Sequence, residues 1–149
     1  MDWYIKTFKE LTNDELYDLM KLRVDVFVVE QECPYPELDS HDQQAIHYFL
    51  KIAGEMAANV RILPAGSKFN EASIGRVAVA EKFRGNGYGK ELMRKAIDYT
   101  TTVLAEQQIK IQAQKYLKQF YSDLGFIQIS DPYLDDDIPH IDMIWNNKP

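Results

Sequence analysis

Cys33 is the only thiol in this chain of 149 residues. No internal disulfide can form, and a lone thiol suits a reducing compartment, so the expected location is the cytoplasm. No stretch approaches the roughly 18 apolar residues that cross a bilayer. The opening Met1-Asp2-Trp3-Tyr4-Ile5-Lys6 lacks the charged-then-apolar pattern of a secretory leader, and no membrane partner is expected. Positive charge is in deficit: 17 Lys and Arg against 23 Asp and Glu give a net charge of -6. That balance, with a sequence pI near 5.0, argues against nucleic acid as a partner. It complements a cationic substrate, and it is equally ordinary for a soluble protein. Of the three histidines, none has a second His or Cys at ligand spacing, so no metal site is expected. Internal repeats, low-complexity segments and linkers are also missing. One domain spanning residues 1–149 is the simplest organisation.

Glycine is scarce as well, with seven in the chain, yet three of them stand at alternate positions, Gly85, Gly87 and Gly89. They follow an apolar, β-branched run over residues 73–80 that reads as a strand. Beyond them, residues 91–106 carry Leu92, Met93, Ala96, Ile97, Val103 and Leu104 at helical spacing. A glycine-rich turn that opens a helix aims several unpaired N–H groups at one point, at the positive end of the helix dipole. Such a turn binds anions, phosphate above all. A Walker A loop would need glycine where Arg84 stands and Ser or Thr where Glu91 stands, which excludes it. The dinucleotide fingerprint needs two residues between its second and third glycines, and only Tyr88 separates Gly87 from Gly89.

The rest of the chain alternates strands and helices. A strand is expected over residues 3–8, then a helix opened by the capping box Thr12-x-x-Glu15, with Leu16, Leu19, Met20 and Phe27 on its apolar face. Arg23 falls on that same face and must find an anion or lie along the surface; Glu30, seven residues on, is one candidate partner. Residues 28–42 read as loop or short helix around Pro34 and Pro36. Strands follow over 47–53 and 56–63, around a turn at Gly54-Glu55. After the glycine turn and long helix come a strand over 109–113, a helix over 115–124 stopped by Gly125, and a strand over 126–129. An acidic loop over 131–139 and a last strand over 141–145 complete the chain.

With its Val-x-Val strand, the stretch Arg84-Gly85-Asn86-Gly87-Tyr88-Gly89-Lys90 resembles the pyrophosphate-binding loop of the GNAT superfamily of acyl-CoA N-acyltransferases. Arg84, Gly87 and Gly89 satisfy that family's pattern, and the element order matches over nearly the whole chain. The segments 22–31, Cys33-Pro34-Tyr35, Gly75-Arg76-Val77, Ala113-Gln114, Phe120-Tyr121 and Ile138-Pro139-His140-Ile141 resemble its ElaA-like branch. The resemblance implies an α/β (mixed α+β) fold: a central mixed, mostly antiparallel sheet of six to seven strands with helices on both faces. It also implies an N-acetyltransferase that moves acetyl from acetyl-CoA to a primary amine by direct attack, without a metal.

In that reading the amides of Arg84, Gly85, Asn86, Gly87, Tyr88, Gly89 and Lys90 hold the pyrophosphate, with Arg84 and Lys90 adding charge. The backbone of Val77, Ala78 and Val79 pairs with the pantetheine arm, and one of its amides polarises the thioester carbonyl. Read without the family, the two valines are core residues. Gln114 stands where the family often has Asn and would reach the same arm. Tyr121 would protonate the departing thiolate; read alone, it is a core residue on a face with Leu117 and Leu124. For the base, Glu30, Glu32, His41, His47 and His140 all remain candidates, with His140 and Glu30 placed in the site. Asp135, Asp136 and Asp137 could draw in an ammonium group or be a solvated turn. Residues 30–36 would cover the substrate pocket, and Cys33 is not expected as a nucleophile. The acceptor stays open between a small amine and a peptide amine. Pairing of two copies through a sheet edge is allowed by this layout but not required. The competing readings are a non-catalytic CoA-binding or sensory module, and an interaction protein whose glycines serve only a tight turn.

Overall fold

The first helix starts where its capping box predicts. A computed structural model of the chain describes residues 1–147, and in it β1 (Asp2–Thr7) leads into α1 (Asn13–Val24). Thr12 Oγ1 accepts from the Glu15 amide at 3.0 Å while Glu15 accepts from the Thr12 amide at 2.9 Å. After Val24 the helix widens into a π-type segment, Asp25–Glu30, instead of running on regularly to Phe27. Then come β2 (Ile46–Ile52), β3 (Glu55–Leu63), β4 (Ser73–Val79), α2 (Tyr88–Thr102), β5 (Gln108–Gln114), α3 (Lys118–Ser122), β6 (Ile127–Gln128), β7 (Tyr133–Asp135) and β8 (Ile138–Asn146).

These eight strands, against the six to seven expected, form two antiparallel sheets, β1-β2-β3-β4 and β5-β8-β6 with β7 on β8. The extra strand lies in the stretch expected to be an acidic loop. Asp136 and Asp137 take φ of 49° and 62°, the left-handed pair that a two-residue hairpin turn requires, and β7 folds back on β8 with Asp135 opposite Ile138. Aspartate tolerates that conformation, but without the usual glycine the pattern does not announce a hairpin. The helix expected over 115–124 is shorter too: a 3-10 turn over Lys115–Leu117 precedes α3. Gly125, at φ 101°, ends it against Trp145, whose indole an added Cβ would approach to 3.0 Å.

Among the described residues the two sheets meet through one parallel bridge, Ala72 to Ile109, where the Lys110 amide donates to Ala72 O at 2.8 Å. Beyond it β4 and β5 are not paired, and a wedge opens between them. β4 is also bulged: Asn59 faces Ala78 but Arg61 faces Gly75, so Arg76 and Val77 together oppose Val60. Arg76 takes φ 54° there, uncommon for a side-chain-bearing residue.

The two faces of the first sheet are covered differently. Leu92, Met93, Ala96 and Ile97 of α2 pack on Leu50, Val60, Ile62 and Ile74 in one apolar cluster. Each large side chain buried there stabilises by about 2 kcal/mol. Alternation along the strands sends His47, Phe49, Asn59 and Arg61 to the opposite face, all fully or nearly fully buried, where α1 lies.

Candidate functional site

The wedge between β4 and β5 is a cavity of about 420 Å³. Val77, Ala78 and Val79 line one wall, Gln114 and His140 the other, with Tyr121, Arg84 and Glu30 also on its surface. The side chains that the sequence reading nominated from four distant segments are thus brought together. His47 is not among them. It is fully buried in the α1 face, where its Nε2 lies 2.9 Å from the Asp42 carbonyl and burial holds its pKa below the ordinary histidine value. His41 and Glu32 do not line the cavity either.

Gly85, Asn86, Gly87, Tyr88, Gly89 and Lys90 do not line the cavity; in this turn beyond Arg84, Gly85 and Gly87 take φ of 83° and 78°, which glycine adopts at least cost. Gly87 caps α2, and the Glu91 amide is the first to reach an intrahelical acceptor, Gly87 O at 3.0 Å. The amides of Tyr88, Gly89 and Lys90 therefore have no acceptor within the helix and point out of its N-terminus. Gly89 is helical, and a Cβ there would come 3.5 Å from the Val79 side chain, an ordinary contact. The Asn86 side chain fastens the turn, donating to Phe83 O at 3.1 Å.

Tyr121 of α3 is buried between Phe120 and Phe126, whose rings meet it edge-on at 5.1 and 5.9 Å. Burial, with a smaller contribution from Tyr116, pushes its pKa up to about 12, so its hydroxyl keeps its proton across the whole neutral range. Across the cavity, His140 sits opposite Gln114 in the β5–β8 ladder and stacks on Tyr133 at 6.2 Å. Its Nδ1 is 2.7 Å from the Ile138 carbonyl. A carbonyl can only accept, so Nδ1 carries the proton, and in the neutral ring Nε2 is left with a lone pair.

Segment 30–33 crosses the opening. The Arg84 guanidinium donates to both Glu30 carboxylate oxygens, at 2.6 and 2.9 Å, and its Nε–H to Val79 O at 3.0 Å. Gln31 and Gln114 exchange amide hydrogen bonds at 3.4 and 3.1 Å. The Cys33 thiol donates to Asp136 O at 3.5 Å. The pairing of Glu30 with Arg23 is corrected by these contacts: Glu30 goes to Arg84, and Arg23 turns the other way.

Arg23 enters a ring of charge that the sequence reading missed. It meets Glu37 and Asp42, each at 2.7 Å; Asp42 meets Arg61 at 3.3 Å; Arg61 meets Asp39 at 2.8 Å; Asp39 meets Arg76 at 3.3 Å; and Arg76 returns to Glu37 at 2.7 Å. Three cations and three anions alternate, each touching two of the opposite sign, and Tyr35 donates its hydroxyl to Glu37. Burial alone would raise the Asp39 and Asp42 pKa values. The arginines outweigh it: Arg61 holds Asp39 well below the usual carboxylate range, and chiefly Arg23 lowers Asp42. The ring ties loop residues 35–42 to α1, to β3 and to the β4 bulge that forms the cavity wall. Its bonded partners lie 14 to 39 positions apart with no period, and the lone signal in the sequence is an arginine on an apolar helix face.

Among the described residues no three His, Cys, Asp or Glu side chains are grouped to hold a metal ion. None of their helices is long and apolar enough to cross a membrane.

The family described as an acetyltransferase (GNAT) domain matches residues 13–147. A UPF0039 protein of Schizosaccharomyces pombe is 38% identical over 145 residues, which cover 96% of this chain and 95% of that protein. The crystal structure of an acyl-CoA N-acyltransferase from Pseudomonas aeruginosa has a TM-score of 0.92 at 37% identity, covering 97% of this chain and 98% of that one. The crystal structure of Escherichia coli ElaA has a TM-score of 0.90 at 37% identity, covering 98% and 100%.

Proposed function

Since the chain belongs to the GNAT family of acetyltransferases, we propose that it moves an acetyl group from acetyl-CoA to a primary amine, small or peptide-borne, by direct attack. The observation that carries this reading is the wedge itself: unpaired strand walls lead from a helix N-terminus with free amides to Tyr121 and His140. The amides of Gly85 to Lys90 take the pyrophosphate; that of Arg84, expected among them, already donates to Glu81 O at 3.2 Å. The backbone of Val77 to Val79 takes the pantetheine arm, aided by Gln114 on the facing wall, and an amide of the bulged stretch polarises the thioester carbonyl. The ring of charge supports this by fixing Arg76, and with it the bulge.

The amine nitrogen attacks the carbonyl carbon, and the carbon–sulfur bond breaks. His140 Nε2 takes the proton from nitrogen, and the Tyr121 hydroxyl gives one to the thiolate. A phenol with a raised pKa still serves here, because the surroundings that penalise its anion also penalise a thiolate. Asp135 and Asp136 at the cavity edge complement an ammonium group. The chain acts as one acyltransferase domain over residues 1–149.

Calorimetric titration with acetyl-CoA, followed by thiol release against a panel of amines, tests this. Binding that requires the pyrophosphate, followed by amine-dependent thiol release, is the expected result. Binding without release from any amine would favour a non-catalytic CoA module, and no binding would remove the donor site.

A further inference from the structure

Two side chains assigned above to the donor are already engaged, and by consecutive residues. Arg84 is held by Glu30 through two charge-assisted hydrogen bonds, and Gln114 by Gln31 through a reciprocal amide pair. The chemistry of each partner matches part of a CoA molecule. A carboxylate, anionic and bidentate, resembles the pyrophosphate that an arginine would grip. A primary amide donates and accepts as the amides of the pantetheine arm do. Arg84 also covers the Val79 carbonyl, one of the backbone groups assigned to that arm. Glu30 and Arg84 keep 40% and 38% of their side-chain surface in solvent, so their pair can exchange partners at modest cost.

We infer that Glu30 and Gln31 form an internal stand-in for the acyl donor, with Glu30 the positioning residue that holds Arg84 at the mouth until the pyrophosphate takes its place. This rests on the donor reading of the cleft. Donor entry then exchanges one ion pair for another: the Arg84 guanidinium passes from Glu30 to the pyrophosphate, and the Glu30 carboxylate is released on the surface of the same cavity.

The test is CoA affinity, measured by calorimetry at low ionic strength for the parent, Glu30→Gln, Arg84→Ala and the double variant. A structural residue loses affinity when replaced; a competitor gains it. Glu30→Gln is expected to bind CoA about two- to fivefold more tightly than the parent, as loss of an exposed ion pair implies. In the Arg84→Ala background the same change is expected to have no effect. An unchanged or weaker affinity in Glu30→Gln overturns the inference. So does a gain that persists without Arg84, which would mark a general charge effect on a polyanionic ligand. If the parent itself does not bind CoA, the donor reading fails; if it binds and Glu30→Gln does not bind more tightly, the stand-in alone fails.

Discussion

Under α2 the first sheet meets Leu92, Met93, Ala96 and Ile97, and no charged side chain enters the cluster. Under α1, through the thickness of one sheet, it meets Arg23 and five further charges closed into a ring. Both faces are buried, but they do different work. Apolar burial is non-directional and stabilises whatever excludes water. A buried ion pair repays little beyond its desolvation, yet leaving half of one unmatched costs a great deal. Apolar burial stabilises on both faces, since Leu19 and Phe49 are fully buried on the α1 side as well. The α1 face fixes one position of loop 35–42 and one register of the β4 bulge, and so the shape of the cleft.

Five experiments sharpen or break that contrast. The largest effect is expected from Arg23→Met, which leaves Glu37 and Asp42 each with one cation; stability in urea should fall by about 3–5 kcal/mol. Adding Asp42→Leu restores neutrality and should recover part of the loss. A double variant as damaged as the sum of its single changes would show that the ring stabilises in the ordinary additive way. Leu92→Ala, on the other face, should cost about 3 kcal/mol, with no rescue and little dependence on pH. Ring stability should depend on pH: Asp39 and Asp42 have depressed folded pKa values. Their contribution is present above the unfolded value near 4 and lost as pH falls through the folded ones. Parallel acid unfolding of the parent and Arg61→Met would break the contrast.

The fourth experiment leaves both faces intact. Tyr121→Phe should lower kcat about 100-fold with CoA affinity unchanged. Since burial pushes this phenol up to about 12, kcat in the parent should show no alkaline decline from Tyr121 through pH 10. Equal turnover in the variant would remove Tyr121 from the chemistry. The smallest effect is expected on folding from Gly87→Val, about 1–2 kcal/mol for a side chain forced to φ 78°. Its CoA affinity should drop as well, and unchanged affinity would exclude the turn from donor binding.

The family, its ElaA-like branch and the mixed α+β fold were legible in the sequence because they rest on local signals. The Val-x-Val strand, the alternate glycines and the apolar period of α2 lie within thirty consecutive residues. Gln114 and Tyr121, which line one cavity, were legible through the resemblance, and Glu30 and His140, which join them there, through residue type and position. What stayed hidden depends on distance or on atypical turn chemistry. Glu37 and Asp39 sit in a loop whose composition gives no hint of three arginines waiting for it. Nothing local marks Arg76–Val77 as a bulge, and Asp136-Asp137 makes a hairpin turn without glycine. His47 was a candidate base because histidine titrates near neutrality, and burial in the α1 face removes it from the cleft.

The closed ring also constrains how such a sequence can drift. Each of its six members answers to two others carried on different segments, so any single change of charge leaves an odd buried ion behind. A lineage can leave this arrangement only by two steps taken close together, one of each sign, or by a first step that a more stable hydrocarbon face can absorb. Replacements at positions 23, 37, 39, 42, 61 and 76 are therefore expected to arrive in opposite-charge pairs.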